Sequence, residues 1–414
     1  MTAPKLPKLL PWCQAAAAAA ATSRKSHSAP RLLRSYGTNA SPQGALDIDA
    51  IRADMLSRPV QLTWDVLRPT NSYLLNVALA DFLPPSCQPP HFRLGCGSSP
   101  SVARDDGAVA DWFAGRGPPG SYTLPPAHHL VYFPLQLPTS GLCPDGTDPL
   151  HSPGGPWTRR MWAGGSIAHM DAGALALDAG PAVCVERVEH VSARGNPGSE
   201  KIFVEVLREY LGEAAFARRW DSHERRLRSV SEDEVPGGEH HGHALTERRT
   251  LVFLRERTTE TEGQQGGRNS RVVRAPYAPD FAITVTPTPT LLFHYSALTF
   301  NAHAIHLDRG YCRDAEGHRD LLVHGPLTLT LMLSALGSQL RADEGERLAA
   351  VDYRHLAPLY VGEPMRVCVR RKWKKFSDDG GGGDGEAARS GWWDVWVEDK
   401  DGQLSVRGTT TTKI

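Results

Sequence analysis

Leu327 to Leu340 (LTLTLMLSALGSQL) is apolar almost without interruption over fourteen residues. That is too long for an ordinary strand and too apolar for a surface helix. The run therefore predicts a buried helix, although Thr328 and Thr330 lower its helix propensity. The chain beyond it changes period. Val351 to Arg371, Gly391 to Glu398 and Gln403 to Ile414 read as strands. Trp393, Val395 and Val397 alternate with Asp394, Trp396 and Glu398, and GTTTTKI at the end has strong β-propensity. One buried helix followed by successive antiparallel strands predicts an α+β fold in which a sheet wraps around a central helix.

The first half is less regular. Asp47 to Ser57 predicts a short helix, with Asp47 as its cap and Ile48, Ile51 and Leu56 as its apolar face. Val183 to Leu207, Arg249 to Arg257 and, further on, Leu291 to Thr299 read as strands. A degenerate second copy of the C-terminal unit is an open reading, because no internal identity proves a repeat. Pro84 to Pro156 is rich in Pro, Gly and Ser and reads as long loops. Ser231 to His243, Thr258 to Ser270 and Gly380 to Gly385 read as insertions or linkers. The expected organisation is a tail over 1–46, a first half over 47–257, a linker over 258–275 and a second half over 276–414.

Composition excludes several functions. The 46 basic and 46 acidic residues cancel, so no global charge draws the chain to nucleic acid. No apolar run approaches the roughly 20 residues that span a bilayer. Seven scattered cysteines without a Cys-x-x-Cys argue against a disulfide framework or structural zinc, and fit a reducing compartment. Glu239 to His243 (EHHGH) has no evident partner ligands and reads as a solvated loop, so no metal is expected. Met1 to Gly44 has no Asp or Glu but carries Lys5, Lys8, Arg24, Lys25, Arg31 and Arg34. That composition predicts an organelle transit peptide, and Arg34-Ser35-Tyr36 resembles a mitochondrial processing site.

Thr299 to Asp308 (TFNAHAIHLD) places Asn301, His303, His306 and Asp308 within ten residues. Val323-His324-Gly325-Pro326-Leu327 (VHGPL) follows, directly ahead of the apolar helix. Two further stretches stand apart: Arg159 to Gly165 (RRMWAGG) and Tyr353 to Tyr360 (YRHLAPLY). Together these motifs resemble the mitochondrial 3-hydroxyacyl-thioester dehydratase type 2 family, within the MaoC-like hotdog hydratases that also include mesaconyl-CoA C4 hydratases. The matches run in order from about Pro156 to the C-terminus.

The resemblance implies a double hotdog whose C-terminal half keeps the catalytic residues. It implies that the N-terminal half has lost them and gained room for an acyl chain. The implied reaction is reversible dehydration of a 3-hydroxyacyl thioester to a trans-2-enoyl thioester, without metal or redox cofactor. The implied carrier is acyl carrier protein in the matrix, within type II fatty acid synthesis. A CoA-ester hydratase and a non-catalytic acyl-thioester binding protein are the alternatives.

Dehydration needs a base at the α carbon, a proton for the leaving hydroxyl, and donors where charge develops on the thioester oxygen. His306 matches the family's catalytic histidine. The Gly325 N–H, ahead of the buried helix and helped by its dipole, could polarise the thioester carbonyl, with His324 orienting the turn. Asn301 stands where the wider hydratase family has aspartate, and His303 and Ala304 stand where it has Asn and Pro. An amide cannot transfer protons at neutral pH, but it can hold water or the hydroxyl. His306 could then serve both transfers, or His303 or Asp308 could instead assist, and a packing role is an equal reading for His303. Read as a strand, however, the segment would put His303 and His306 on opposite faces. Arg159, Arg160 and Trp162 could bind pantetheine or line the acyl pocket, or form the entry to a domain interface. Arg370, Arg371 and Lys372 open a basic run that could dock an acidic carrier or a CoA phosphate, or simply end a solvated strand.

Overall fold

Among the described residues, prolines open two α-helices, at Pro69 and Pro289, and stand second in a third, at Pro326, as expected where an N–H has no intrahelical partner. The computed structural model describes residues 47–89, 123–169, 175–221, 226–227, 244–256, 273–372 and 391–414. Helix α1, Ile48–Leu56, is capped by the Asp47 carboxylate, which accepts from the Ala50 N–H at 3.0 Å. Helix α2, Pro69–Leu79, buries Ser72, Leu75, Asn76 and Leu79, a spacing that lines one face. Helix α4, Pro289–Leu298, is capped by Thr288 and packs on α2. Between them lies the short α3, Glu213–Arg219.

The expectation of a strand over Leu291 to Thr299 is therefore corrected. Thr288 and Pro289 supply a cap and a preset first turn. The buried positions Leu291, Leu292, Tyr295 and Ser296 form one helical face. Helix α5 is Arg309–Asp314, and the long apolar run becomes α6, Gly325–Gly337, nine of whose residues are buried. Its threonines are accommodated because Thr328 and Thr330 donate to the carbonyls of His324 and Pro326, four residues back.

Ten strands make one sheet. They are β1 Gln61–Val66, β2 Arg159–His169, β3 Pro181–Arg194, β4 Lys201–Gly212 and β5 Leu245–Leu254. The second set is β6 Phe281–Val285, β7 Arg347–His355, β8 Met365–Lys372, β9 Gly391–Glu398 and β10 Leu404–Lys413. The order across the sheet is β1-β3-β4-β5-β2-β7-β10-β9-β8-β6. Each set runs first, third, fourth, fifth, second, so the two halves repeat one topology and meet at their second strands. Every neighbouring pair is antiparallel. This is a double hotdog: an antiparallel sheet around central helices.

The halves share a continuous core that runs from Leu75, Leu79 and Ile167 to Leu331, Met332 and Val351. Among the described residues between α2 and β2 there are short 3-10 turns, at Pro85–Cys87, His128–Val131 and Thr139–Gly141, and an isolated bridge from Thr123 to Ala176. The proposed tail and the three insertions at Ser231 to His243, Thr258 to Ser270 and Gly380 to Gly385 lie outside the described residues. No described helix is long and apolar enough to cross a membrane.

The meeting of β2 and β7 explains Gly164-Gly165. Gly164 pairs with Arg354 and Gly165 with Tyr353, while both also pair with β5 across a register shift. A Cβ on Gly164 would overlap the Tyr353 carbonyl oxygen, and one on Gly165 would overlap that of Arg248. Gly165→Ala should therefore destabilise the protein by at least about 2 kcal/mol, as overpacking against backbone does. Gly337→Ala, where an added Cβ meets nothing within 4 Å, should be neutral or slightly stabilising. Thermal unfolding of the two variants compares them directly, and an unchanged midpoint for Gly165→Ala would contradict the close approach.

Candidate active site

The end of α4 sets up the histidine segment. Phe300 adopts a left-handed backbone at φ 52, which turns the chain out of the helix, and the Asn301 N–H reaches the Ser296 carbonyl at 2.8 Å. The Asn301 side-chain oxygen then accepts the His303 N–H at 3.0 Å. Such a local turn competes with strand formation. Ala304–His306 continues as a 3-10 turn, so the strand reading of this segment is corrected. In a turn the two histidines share one side. The rings of His303 and His306 lie edge to face, with centroids 5.5 Å apart.

His306 is buried, and its Nδ1 lies 2.8 Å from the Leu322 carbonyl oxygen. A carbonyl can only accept, so Nδ1 carries the proton and Nε2 keeps its lone pair. Burial pushes the His306 pKa down to about 4, against the opposing pull of the Leu322 carbonyl and with help from the nearby Arg160 charge. His306 is therefore neutral at physiological pH, with the lone pair of Nε2 available. His324 stacks on it at 3.7 Å between centroids, and its Nε2 pairs with the Ser296 hydroxyl at 2.8 Å. Burial holds His324 well below the ordinary imidazole range as well.

His324 is also the residue that precedes α6, and Gly325 is the first residue within it. The first N–H groups of a helix have no intrahelical acceptor, and the helix dipole makes that end positive. Pro326 has no N–H, so Gly325 presents the leading donor. An added Cβ at Gly325 would come within 3.2 Å of His355 Nε2 and 3.3 Å of Trp162 Cβ, so a side chain would crowd this donor.

A cavity of about 480 Å³ is lined by His306 and Gly325, whereas the predicted site residue His324 is not part of its lining. Asn301, His303, His306, Gly325 and His355 line it from the C-terminal half. Leu130, Phe133, Arg160, Trp162, Arg208 and Leu251 are among its lining from the N-terminal half. Its size fits a small-molecule site. The N-terminal half brings charge as well as apolar surface. Glu186 and Arg208 pair at 2.8 Å, and His151 lies 3.0 Å from Glu186. The carboxylates of Glu186 and Asp148 raise the His151 pKa to about 9 against desolvation.

The remaining sequence candidates divide. Arg160 lines the cavity and pairs with Asp148 at 2.7 Å. Trp162 lines it too, with its indole N–H shared between the Gly164 carbonyl and the Tyr353 hydroxyl, both at 3.0 Å. Arg159 does not reach the cavity, because it is clamped to Glu316 at 2.6 Å. Alternation along β2 sends the neighbouring arginines to opposite faces. Arg370, Arg371 and Lys372 on β8 do not line it either. Arg370 lies over the Tyr277 ring, Arg371 over Trp393, and Lys372 meets Asp394 at 2.5 Å. Asp308 caps α5 by accepting from the Tyr311 N–H.

The half-buried His355 and the buried Asp145 escaped the sequence reading. His355 sits beside Gly325 with its pKa pushed to about 4 by burial. The phrase YRHLAPLY contained it but gave it no role. Asp145 lies 3.5 Å from His303 and comes from a Pro/Gly-rich loop with no local signal.

The family model described as hydroxyacyl-thioester dehydratase type 2 matches residues 127–361, more than half of the chain. The mitochondrial hydroxyacyl-thioester dehydratase type 2 of Schizosaccharomyces pombe is 28% identical over 252 residues, covering 60% of this chain and 78% of that protein. Mesaconyl-C(4)-CoA hydratase of Chloroflexus aurantiacus is 39% identical over 107 residues, 26% of this chain and 37% of its own length. A solved MaoC-like dehydratase shares the fold with a TM-score of 0.53 at 12% identity, covering 87% of this chain and 99% of its own. The matched span contains His303, His306 and Gly325, and on that match the chain belongs to the hydroxyacyl-thioester dehydratase type 2 family of hydro-lyases.

Proposed function

We propose that this protein dehydrates 3-hydroxyacyl thioesters reversibly to trans-2-enoyl thioesters in the cavity between its halves. The observation that carries this reading is the placement of a neutral His306 and the start of α6 on one cavity. His306 Nε2 takes the proton from the α carbon. Charge moves to the thioester oxygen, where the Gly325 N–H and the positive end of α6 meet it. The enolate then collapses, the bond from the β carbon to oxygen breaks, and His306 returns its proton so that water leaves. One base serves both transfers from the same face. The C-terminal half supplies the base and the oxyanion donor, and the N-terminal half supplies the opposite wall. Arg160 and Trp162 are proposed as substrate contacts on that wall.

The carrier we propose is acyl carrier protein, in the mitochondrial matrix and within type II fatty acid synthesis. The acid-free, basic N-terminal composition and the mitochondrial relative from fission yeast support this setting. The identity with a mesaconyl-C(4)-CoA hydratase favours a second reading in which CoA carries the acyl group. Hydration rates of crotonyl thioesters on the two carriers, measured side by side, decide between them. Acyl carrier protein should give the higher kcat/KM. An equal or higher value with CoA would move the assignment to the CoA ester, and no activity on either would end the dehydratase reading.

His306→Ala should lower kcat by roughly 10²- to 10⁴-fold, the range for losing a general acid–base group, with an unchanged unfolding midpoint. A variant that kept wild-type turnover would remove His306 from the chemistry.

The pH profile gives an independent check. Activity requires neutral His306, and its pKa of about 4 lies below the ordinary imidazole value. The acid limb of kcat/KM should therefore stay flat through pH 6.5 and fall only toward pH 4. A limb centred on pH 6.5 would contradict the buried, neutral base.

A further inference from the structure

We propose that Asp145, from the N-terminal half, and His303 form a pair that replaces the carboxylate missing at Asn301 and holds the β-hydroxyl or the adding water. This rests on the dehydratase reading above.

The pair is built into the fold. Asp145 Oδ1 is occupied by the Thr147 N–H at 3.0 Å and the Thr147 hydroxyl at 2.7 Å. That leaves Oδ2, which lies 3.5 Å from His303 Nε2. Both atoms are buried, and neither has a hydrogen-bond partner among the described residues. The loop is docked on the histidine segment at two further points. The Ala304 N–H donates to the Asp145 carbonyl at 2.8 Å. Gly146, at φ +81, lies so close that a Cβ would overlap the Ala302 carbonyl oxygen. The carboxylate is thus aimed at one nitrogen of one ring.

That aim sets the tautomer of His303. In the proposed pair the carboxylate closes from 3.5 Å to accept from Nε2–H, which leaves Nδ1 as an acceptor for the cavity that His303 lines. His306 is arranged in the opposite sense, with Nδ1–H on Leu322 and Nε2 free. The two rings therefore offer two acceptor nitrogens. In hydration, one hydrogen of the water is held by His303 Nδ1 and the other proton passes to His306 Nε2. The water oxygen bonds to the β carbon, and His306 delivers its proton to the α carbon. In dehydration the hydroxyl keeps its own hydrogen on His303 Nδ1, takes the α proton from His306 and leaves as water. His303 touches the reacting oxygen, and Asp145 is a positioning residue that acts through it.

Asp145→Asn keeps a group of the same shape and its bonds to Thr147 but turns a donor toward His303. That favours the wrong tautomer, and kcat should fall about 10²-fold or more, with KM and the unfolding midpoint little changed. His303→Ala should lose activity to a similar degree. The double variant should be no worse than His303→Ala alone, because one residue acts through the other. Full turnover by Asp145→Asn, or losses that multiply in the double variant, would overturn the pair. If His306→Ala is inactive while Asp145→Asn is fully active, the pair fails and the dehydratase reading stands.

Histidine-selective ¹⁵N NMR tests the pair without any turnover. His303, assigned by its absence in His303→Ala, should show the Nε2–H tautomer in the wild type and Nδ1–H in Asp145→Asn. The same tautomer in both proteins would overturn the pair, whether or not the protein proves active.

Discussion

The pairing of β2 with β7 makes one sheet out of two five-stranded halves, and the placement of everything around the cavity depends on it. Two glycines permit this pairing, because backbone from β5 and β7 occupies the space where their side chains would stand. The strand that carries them also carries Arg160 and Trp162 to the cavity. Its partner β7 ends at His355, beside the first residue of α6. Once the halves are joined in this register, the loop bearing Asp145 meets the turn bearing His303. A cavity with walls from both halves follows from the join itself.

Within that cavity, burial decides the charge state and neighbouring acceptors decide the tautomer. His306, His324 and His355 are all driven toward the neutral form by loss of water. A neutral imidazole can act as a base only through the nitrogen that lacks hydrogen, and the Leu322 carbonyl selects that nitrogen on His306. The positive end of α6 complements this arrangement. In the proposed reaction it offers a donor to a developing oxyanion without adding a further cation to the Arg160 charge that already lowers the His306 pKa. Charged groups are present nearby, but they are largely neutralised in pairs such as Arg160 with Asp148 and Arg208 with Glu186.

Much of the second half was legible. Period and β-propensity mark α6 and the last three strands, because a fully buried helix and a half-buried strand impose different spacings. Leu291 to Thr299 misled, since its apolar density fits either element and its start depends on the Thr288 cap and Pro289. The turn at Ala304–His306 misled for a related reason. Asn301 closes it with its own side chain, so a local hydrogen bond outweighs the alternation that a strand would need. In RRMWAGG the sequence showed aromatic and basic residues but not that strand alternation sends Arg159 and Arg160 to different environments, one to Glu316 and the other to the cavity.

By itself, then, the sequence determined the elements whose pattern is local: the buried helix and the strands that follow it. Resemblance extended this to a family. Only the tertiary structure decided which groups meet. Asp145 and His303 are separated by more than 150 positions of chain, and no periodicity or spacing links a Pro/Gly-rich loop to a histidine turn in the other half. Their approach is set by backbone contacts of Gly146 and Ala304, which exist only once the two halves have closed on each other.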